Sequence, residues 1–99
     1  MISIFKKILY DYRLKLAKKR VLSLAIIGGN SIISATANVK LLYGSSKEDI
    51  VIGEYFKISG ELISSHHGKI QIGNHCLVGP RCVIGAVDSV ILGNYQIML

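Results

Sequence analysis

The sequence predicts a mainly β chain that is coiled as a parallel β-helix and preceded by one amphipathic α-helix. Two periods in the apolar residues predict the coil. From residue 50 onward an aliphatic residue followed by glycine recurs, and the pairs that begin at Ile72, Val78 and Ile84 follow a period of six. Ile52, Ile72 and Leu92 follow a longer period of twenty. A period of six is too short for a helical repeat, and strict strand alternation is absent. The six-residue unit therefore fits one side of a three-sided coil.

The longer period places a loop at one corner of each turn. Three sides make a turn of roughly 18 residues, so a period of twenty indicates a small insertion at one corner. Polar stretches at His66-His67-Gly68 and at Asp88-Ser89 are the expected places for it. The first residue of each hexad would stack on its equivalent in the next coil, about 4.8 Å away. Ile32 precedes Ile52 by the same longer period, so the repeat is predicted over residues 32–99.

The corner and core positions of the hexad also have expected occupants. Glycine after the first residue would permit a tight path at the corner. The fifth residue would point inward and favour small side chains, and Cys76 and Cys82 occupy that place. We interpret both cysteines as core residues; a metal or redox role is the alternative, with no thiol-activating partner visible. Phe56 and Gln96 depart from the small-residue pattern, and a buried Gln96 would need hydrogen-bond partners.

The excess positive charge lies in one segment. Residues 1–20 contain seven Lys or Arg and one Asp, whereas residues 21–99 contain five basic and five acidic residues. The net charge of +6 therefore belongs to the N-terminal segment. The neutral body has no recognition motif for nucleic acid, and no nucleic-acid partner is predicted. Two cysteines without a disulfide framework weakly favour a reducing compartment.

Residues 1–24 are predicted to form a basic amphipathic helix. Its apolar residues recur at spacings of three and four and form one stripe: Ile2, Phe5, Ile8, Leu9, Tyr12 and Leu16. Such a helix over residues 2–20 can lie in a membrane interface with its lysines toward anionic headgroups. Two alternatives remain open. The stripe packs on the β-body or on another subunit, or the apolar run 21–27 and the small-residue site Ala35-Thr36-Ala37 belong to a signal peptide.

The run IQIGNHCLVGPRCVIG at residues 70–85 resembles the repeat of the hexapeptide acyltransferases. The resemblance extends over residues 32–99 and is closest to the branch that O-acetylates capsules, O-antigens and similar glycans. It implies a left-handed β-helix, a homotrimer, acetyl-CoA as co-substrate and a sugar or glycan acceptor. It also implies a histidine general base, since imidazole changes its charge near neutral pH. A cytoplasmic location, peripheral at the inner face of the membrane, is expected with this function.

The resemblance does not supply the catalytic residue. In sugar O-acetyltransferases the histidine usually follows such coils, in an Asn/Asp-rich stretch that ends in His-Pro. This sequence contains no such stretch, so the expectation is a β-helix truncated at its C-terminal end and lacking the catalytic region. Within the 99 residues, His67 and His75 are the candidate bases, and no acetyl-CoA-binding residue is identified. The alternative is a non-catalytic scaffold or remnant. Zinc bound as in γ-class carbonic anhydrases would need three converging histidines, and no metal is predicted.

Overall fold

The computed structural model describes residues 2–99, with side chains described from residue 4 onward. Met1 and the Ile2 side chain, the first member of the predicted stripe, lie outside the described part. One α-helix precedes eleven short strands and one turn of 3₁₀-helix, Lys47–Asp49. The elements are α1 (Ile2–Leu24), β1 (Ile26–Ile27), β2 (Ile32–Ile33), β3 (Asn38–Leu42), β4 (Ile50–Ile52), β5 (Lys57–Ile58), β6 (Glu61–Ser65), β7 (Lys69–Ile72), β8 (Leu77–Val78), β9 (Val83–Ala86), β10 (Ser89–Leu92) and β11 (Ile97–Met98).

The strands form three parallel sheets, and the chain visits the sheets in turn. The first sheet has the order β1-β4-β7-β10, the second β11-β8-β5-β2 and the third β3-β6-β9. Every strand pair is parallel, and each strand hydrogen-bonds to its equivalent one turn away. This arrangement is a three-sided solenoid of about three turns. The predicted mainly β class with a parallel coil and an N-terminal helix is therefore confirmed.

The longer period is real, but one of the two predicted insertions was misplaced. Ile52 pairs with Ile72, and Leu92 pairs with Ile72, as the period requires. In one turn the insertion falls in the corner 65–68, which contains the two adjacent histidines. In the next turn it falls in the corner 79–82, around Pro80-Arg81, and the corner at Asp88 is short. Coil length is conserved while the insertion moves from one corner to another.

The first turn is longer than the others. Ile52 pairs with Ile27, and Ile32 pairs with Lys57 in another sheet. The prediction that Ile32 stacks below Ile52 was wrong, and β1 already belongs to the solenoid. Relative to the second turn, three of the five additional residues lie in the corner 43–49, where the 3₁₀-helix is inserted between β3 and β4, and two lie in the corner 34–37 between β2 and β3. The long corner 43–49 becomes important for the candidate site.

Glycine at the corners has a different role from the predicted one. Gly53 and Gly73 have no positive φ, which instead belongs to Tyr55 and His75 two residues later. A Cβ on Gly73 would overlap Asn94 Oδ1 of the next coil, and one on Gly53 would overlap Asn74 Oδ1 in the same way. These asparagine oxygens accept hydrogen bonds from the backbone N–H of Glu54 and Asn74, at 2.8 and 2.7 Å. Glycine is needed because the next coil's side chain fills the space.

The core is a single apolar column inside the three sheets. Its largest fully buried side chains include Phe56, Ile50, Ile58, Leu62 and Ile70. Cys76 is buried as predicted, and Cys82 is only partly buried against the same core. Gln96, one coil after Cys76, is exposed and therefore needs no internal partner.

Helix α1 covers the first coil of the solenoid. It contacts β1, β2 and β3, one strand from each sheet. Ala17 and Val21 are its buried residues in this contact, and the Arg20 guanidinium donates a hydrogen bond to the Ala37 carbonyl at 3.1 Å. Stacked repeats need such a cover because an open end exposes core residues and unpaired strands.

The predicted apolar stripe of α1 does not pack on the solenoid. Its described members are between 44% and 66% exposed: Phe5, Ile8, Leu9, Tyr12 and Leu16. The interpretation in which this stripe packs on the β-body was therefore wrong. The apolar run 21–27 is divided between α1 and β1, and Ala37 is fully buried in a corner of the solenoid. Within residues 2–99, no helix has the length and apolar character that a membrane span requires.

Candidate functional site

The three histidines all lie at corners of the solenoid, in the left-handed region of backbone conformation. Their φ values are 53° for His66, 61° for His67 and 56° for His75. Residues other than glycine adopt this region rarely. The three histidines therefore have the same kind of position and backbone conformation, and they differ in the residues that contact each ring.

His75 belongs to a column of aromatic rings. It stacks on Tyr55 of the preceding coil at 4.8 Å between ring centroids and on Tyr95 of the following coil at 5.0 Å, with planes within 5° of parallel. No carboxylate lies within ion-pair distance of His75 in the part of the chain that the structure describes. Its ring faces are covered on both sides. The candidate base His75 therefore has the environment of a corner-stacking residue.

The adjacent residues His66 and His67 point to different partners, as expected for neighbours in a loop. His66 stacks on Tyr43 with ring centroids 4.7 Å apart and planes 4° from parallel. His67 lies over Gly44, where an added Cβ would be 3.1 Å from its Nε2 atom. Gly44 itself has a φ of +90°, which glycine adopts without strain. Gly44 thus provides both the turn and the space for the His67 ring.

A buried carboxylate lies beside His67. The Asp49 side chain is 2% exposed, and its Oδ2 atom is 3.4 Å from Nδ1 of His67, whose side chain is 66% exposed. Oδ2 also accepts a hydrogen bond from the backbone N–H of Ser46 at 2.8 Å, and Oδ1 pairs with the Lys69 ammonium. These groups, the hydrogen bond from Lys69 first, lower the pKa of Asp49 from 3.8 to about 2. Asp49 is therefore an anion at neutral pH.

Two serines fix the backbone around His67. The Ser45 hydroxyl accepts a hydrogen bond from the His67 N–H at 2.9 Å. Ser45 Oγ lies 3.0 Å from Ser64 Oγ, which is fully buried and donates to the Gly68 carbonyl at 2.5 Å. The loop carrying His67 is thereby bonded to Ser45 of the long corner 43–49, and the bond from Ser64 to Gly68 closes the loop itself. A fixed backbone and an oriented ring are what proton transfer requires of a histidine.

The arrangement of Asp49 and His67 has the geometry of an oriented general base. A carboxylate next to Nδ1 favours the tautomer in which that nitrogen carries the proton. The lone pair then resides on Nε2, the ring atom nearest Gly44, on a side chain that is 66% exposed. The distance of 3.4 Å is long for a hydrogen bond, and such contacts tighten when substrate binds. Lys69 holds the carboxylate charged, so it acts on the pair through Asp49.

Other features of the surface are separate from this pair. A groove of about 520 Å³ lies between α1 and the β2–β5 face, lined in part by Tyr10, Lys18, Ser34 and Lys57. It contains none of the three histidines. Across the described residues, no group of three or more His, Cys, Asp or Glu side chains is placed to hold a metal ion.

Of these residues, only His67 was predicted from the sequence; Asp49, Lys69 and Ser45 were missed. A signal for the first two was present, because Asp49 and Lys69 are separated by one longer period and the repeat places such residues in adjacent coils. The contact between Asp49 and His67 could not be found in this way. It depends on the 3₁₀-helix in the long corner, which lies outside the repeat.

Comparison of the chain with protein-family models, with curated proteins and with solved structures finds no match.

Proposed function

We propose that this chain belongs to an acyltransferase that moves an acetyl group from acetyl-CoA to a hydroxyl of a sugar or glycan, with His67 as general base. The observation that carries the proposal is the exposed His67 imidazole beside the buried Asp49 carboxylate. The six-residue coil, with its aliphatic-glycine pairs, is typical of hexapeptide acyltransferases, so we also propose that the solenoid is left-handed. This proposal takes His67 as the base, and the base in an Asn/Asp-rich stretch outside these residues, which the resemblance implies, stays a prediction.

The chemistry follows from the Nε2 lone pair. Nε2 accepts the proton of the acceptor hydroxyl while the hydroxyl oxygen attacks the thioester carbonyl. The tetrahedral intermediate collapses by breaking the carbon–sulfur bond, and the thiolate takes the proton from the imidazolium. Asp49 stabilises the transient imidazolium because its charge is 3.4 Å from Nδ1 and is buried. Products are the O-acetyl ester and free CoA thiol, with no net change at His67.

A homotrimer is part of the proposal. Three of the four equivalent outward positions of the first sheet are aliphatic: Ile26, Val51 and Ile91 are 40%, 42% and 71% exposed, and Gln71 is the fourth. Exposed aliphatic side chains aligned in this way are typical of surfaces that become buried against a partner. Sedimentation velocity gives the mass of the assembly directly.

The test is release of free thiol from acetyl-CoA in the presence of a panel of sugars. We expect turnover with the unaltered chain and a loss of about 100-fold or more in His67→Ala, the range for removal of a general base. His66→Ala is the matched control, because His66 occupies the same corner and stacks on Tyr43 instead of facing Asp49. Circular dichroism checks that both variants fold. Equal rates in the two variants, or no turnover in the unaltered chain, would contradict the proposal.

A second candidate is a non-catalytic β-solenoid scaffold. One observation favours it: both oxygens of Asp49 already have partners in Lys69 and the Ser46 backbone, as in a purely structural corner. In that case no sugar supports thiol release. The Asp49 cluster would then contribute to folding alone, and His67→Ala would change neither assembly nor stability appreciably.

A further inference from the structure

We propose that the outer face of α1 binds the surface of an anionic lipid bilayer. The outer face consists of Phe5, Ile8, Leu9, Tyr12 and Leu16. All five are exposed, and two carry aromatic rings, which suit the headgroup region of a membrane. This inference concerns the helix and is independent of acyl transfer at His67.

The outer face is on the opposite side of the helix from the solenoid. At about 100° per residue, the centre of the outer face is about 140° around the axis from the buried residues Ala17 and Val21. The helix thus has two apolar faces, one used in packing and one free in this chain. A flat surface against the outer face would not meet the solenoid, which lies on the far side of α1.

Basic residues flank the outer face on both sides. Lys15 lies about 75° from the centre of the outer face on one side, Arg13 lies about 85° from it on the other, and Lys19 lies within the face. All three are exposed, whereas Arg20 bonds to the Ala37 carbonyl of the solenoid. An apolar face with basic residues within it and on both flanks matches the acyl boundary and the anionic headgroups of a bilayer.

Charge selects a bilayer over a second copy of the helix. Residues 1–20 contain seven basic residues and one acidic residue, so pairing of two outer faces would bring cationic flanks together. Residues 25–99, which form the solenoid, contain five residues of each sign and offer no compensating acidic excess. Anionic lipid satisfies both the apolar strip and the charge, because each basic residue near such a surface adds to its attraction.

Co-sedimentation of the full chain with vesicles tests this proposal. We expect binding to vesicles of equal parts phosphatidylcholine and phosphatidylserine, and little binding to vesicles of phosphatidylcholine alone. Binding should weaken as salt concentration rises, since screening acts on the headgroup attraction. Absence of binding to the anionic vesicles, or equal binding to both compositions, would overturn the proposal.

Two triple variants separate the apolar and electrostatic contributions. Phe5→Ala, Ile8→Ala and Tyr12→Ala together remove apolar anchors, and alanine keeps the helix propensity. Arg13→Gln, Lys15→Gln and Lys19→Gln together remove three charges from the outer face and its flanks. Each triple variant should lower the vesicle partition coefficient at least about tenfold. Sedimentation velocity of the same variants distinguishes lipid binding from assembly: a change in oligomer mass without a change in vesicle binding would contradict the proposal.

Matched controls carry the same changes on the solenoid. Val83, Val87 and Ile97 are exposed aliphatic residues, and replacement of all three by alanine matches the apolar variant. Lys47→Gln, Lys57→Gln and Arg81→Gln match the loss of three charges at exposed positions. Both controls should bind anionic vesicles within about twofold of the unaltered chain. A control that loses as much binding as its helix counterpart would show that α1 has no special role.

Discussion

His75 and His67 occupy corners of the same solenoid with nearly the same backbone conformation, φ 56° and 61°, yet their rings have different surroundings. His75 lies in a regular part of the coil, where the equivalent rings of the coils before and after stack on it. His67 lies one turn above the long corner 43–49 of the first turn, so the residue below its ring is Gly44 and not an aromatic residue. The irregular corner also supplies Asp49.

The difference shows how a repeat protein can separate stability from chemistry. Regular coils place residues of equivalent position above one another, and these residues contact each other by ring stacking or by asparagine hydrogen bonds. A ring covered on both faces is available for little else. Where the repeat is interrupted, residues at non-equivalent positions come into contact, and an exposed imidazole can then lie beside a buried carboxylate. Substitutions at the two histidine corners test this difference.

The largest expected effect is on turnover. His67→Ala should lower acetyl transfer about 100-fold or more, whereas His75→Asn should leave the rate within about twofold, because of these two histidines only His67 has a carboxylate beside its Nδ1 atom. Initial rates of thiol release measure both. A larger loss in His75→Asn than in His67→Ala would reverse the assignment of the two corners.

The next effect concerns the glycine that makes room at the regular corner. Gly73→Ala places a Cβ on top of Asn94 Oδ1 and 2.9 Å from backbone atoms, so the coils must separate. We expect a loss of about 1–3 kcal/mol in the free energy of unfolding. Gly93→Ala is the matched control, because nothing lies within 4 Å of its added Cβ. Urea denaturation of both variants provides the measurement, and equal losses would contradict this explanation of the corner glycines.

A smaller effect should follow from removal of the central ring of the aromatic column. His75→Asn retains a residue that tolerates positive φ, as Asn30 does in the first coil at φ 59°, and removes both stacking contacts. We expect a loss of about 1 kcal/mol in unfolding free energy. Denaturant midpoints compare it with the unaltered chain. An unchanged midpoint would mean that the stacked rings of Tyr55 and Tyr95 add no stability.

The smallest expected effect is on the unfolding free energy at acidic pH. The folded-state pKa of Asp49, about 2, is below its ordinary value of 3.8. Its ionised form therefore stabilises the fold above pH 3.8, and this contribution is lost as the pH falls toward 2. Asp49→Asn should flatten the decline in unfolding free energy over that interval. Urea titrations from about pH 5 to about pH 2 measure the slope, which should be unchanged in the exposed control Asp88→Asn.

The sequence predicted the parts of this molecule that repeat. The two periods were enough for the parallel coil, the corner at His66-His67 and the burial of Cys76. They failed at the first coil, because that coil is longer than the period. They also failed at Pro80-Arg81, because an insertion of the same length at either corner gives the same spacing. His67 was found by residue type alone. The spacing of twenty between Asp49 and Lys69 was a periodic signal that was missed, whereas the contact between Asp49 and His67 has none, because Asp49 approaches from an insertion.

The moving insertion has a consequence for how such a chain can change length. The strands at Ser64 and Ala86 return to register, and so do those at Lys69 and Ser89, although the extra residues lie at different corners in the two turns. A dipeptide gained at one corner and lost at the next therefore leaves the neighbouring coils undisturbed. The corners are therefore interchangeable sites of insertion, and a foreign loop grafted at Pro80-Arg81 should be accommodated as readily as the histidine loop. Both natural variation and protein engineering can use these insertion sites to change the surface while the core remains constant.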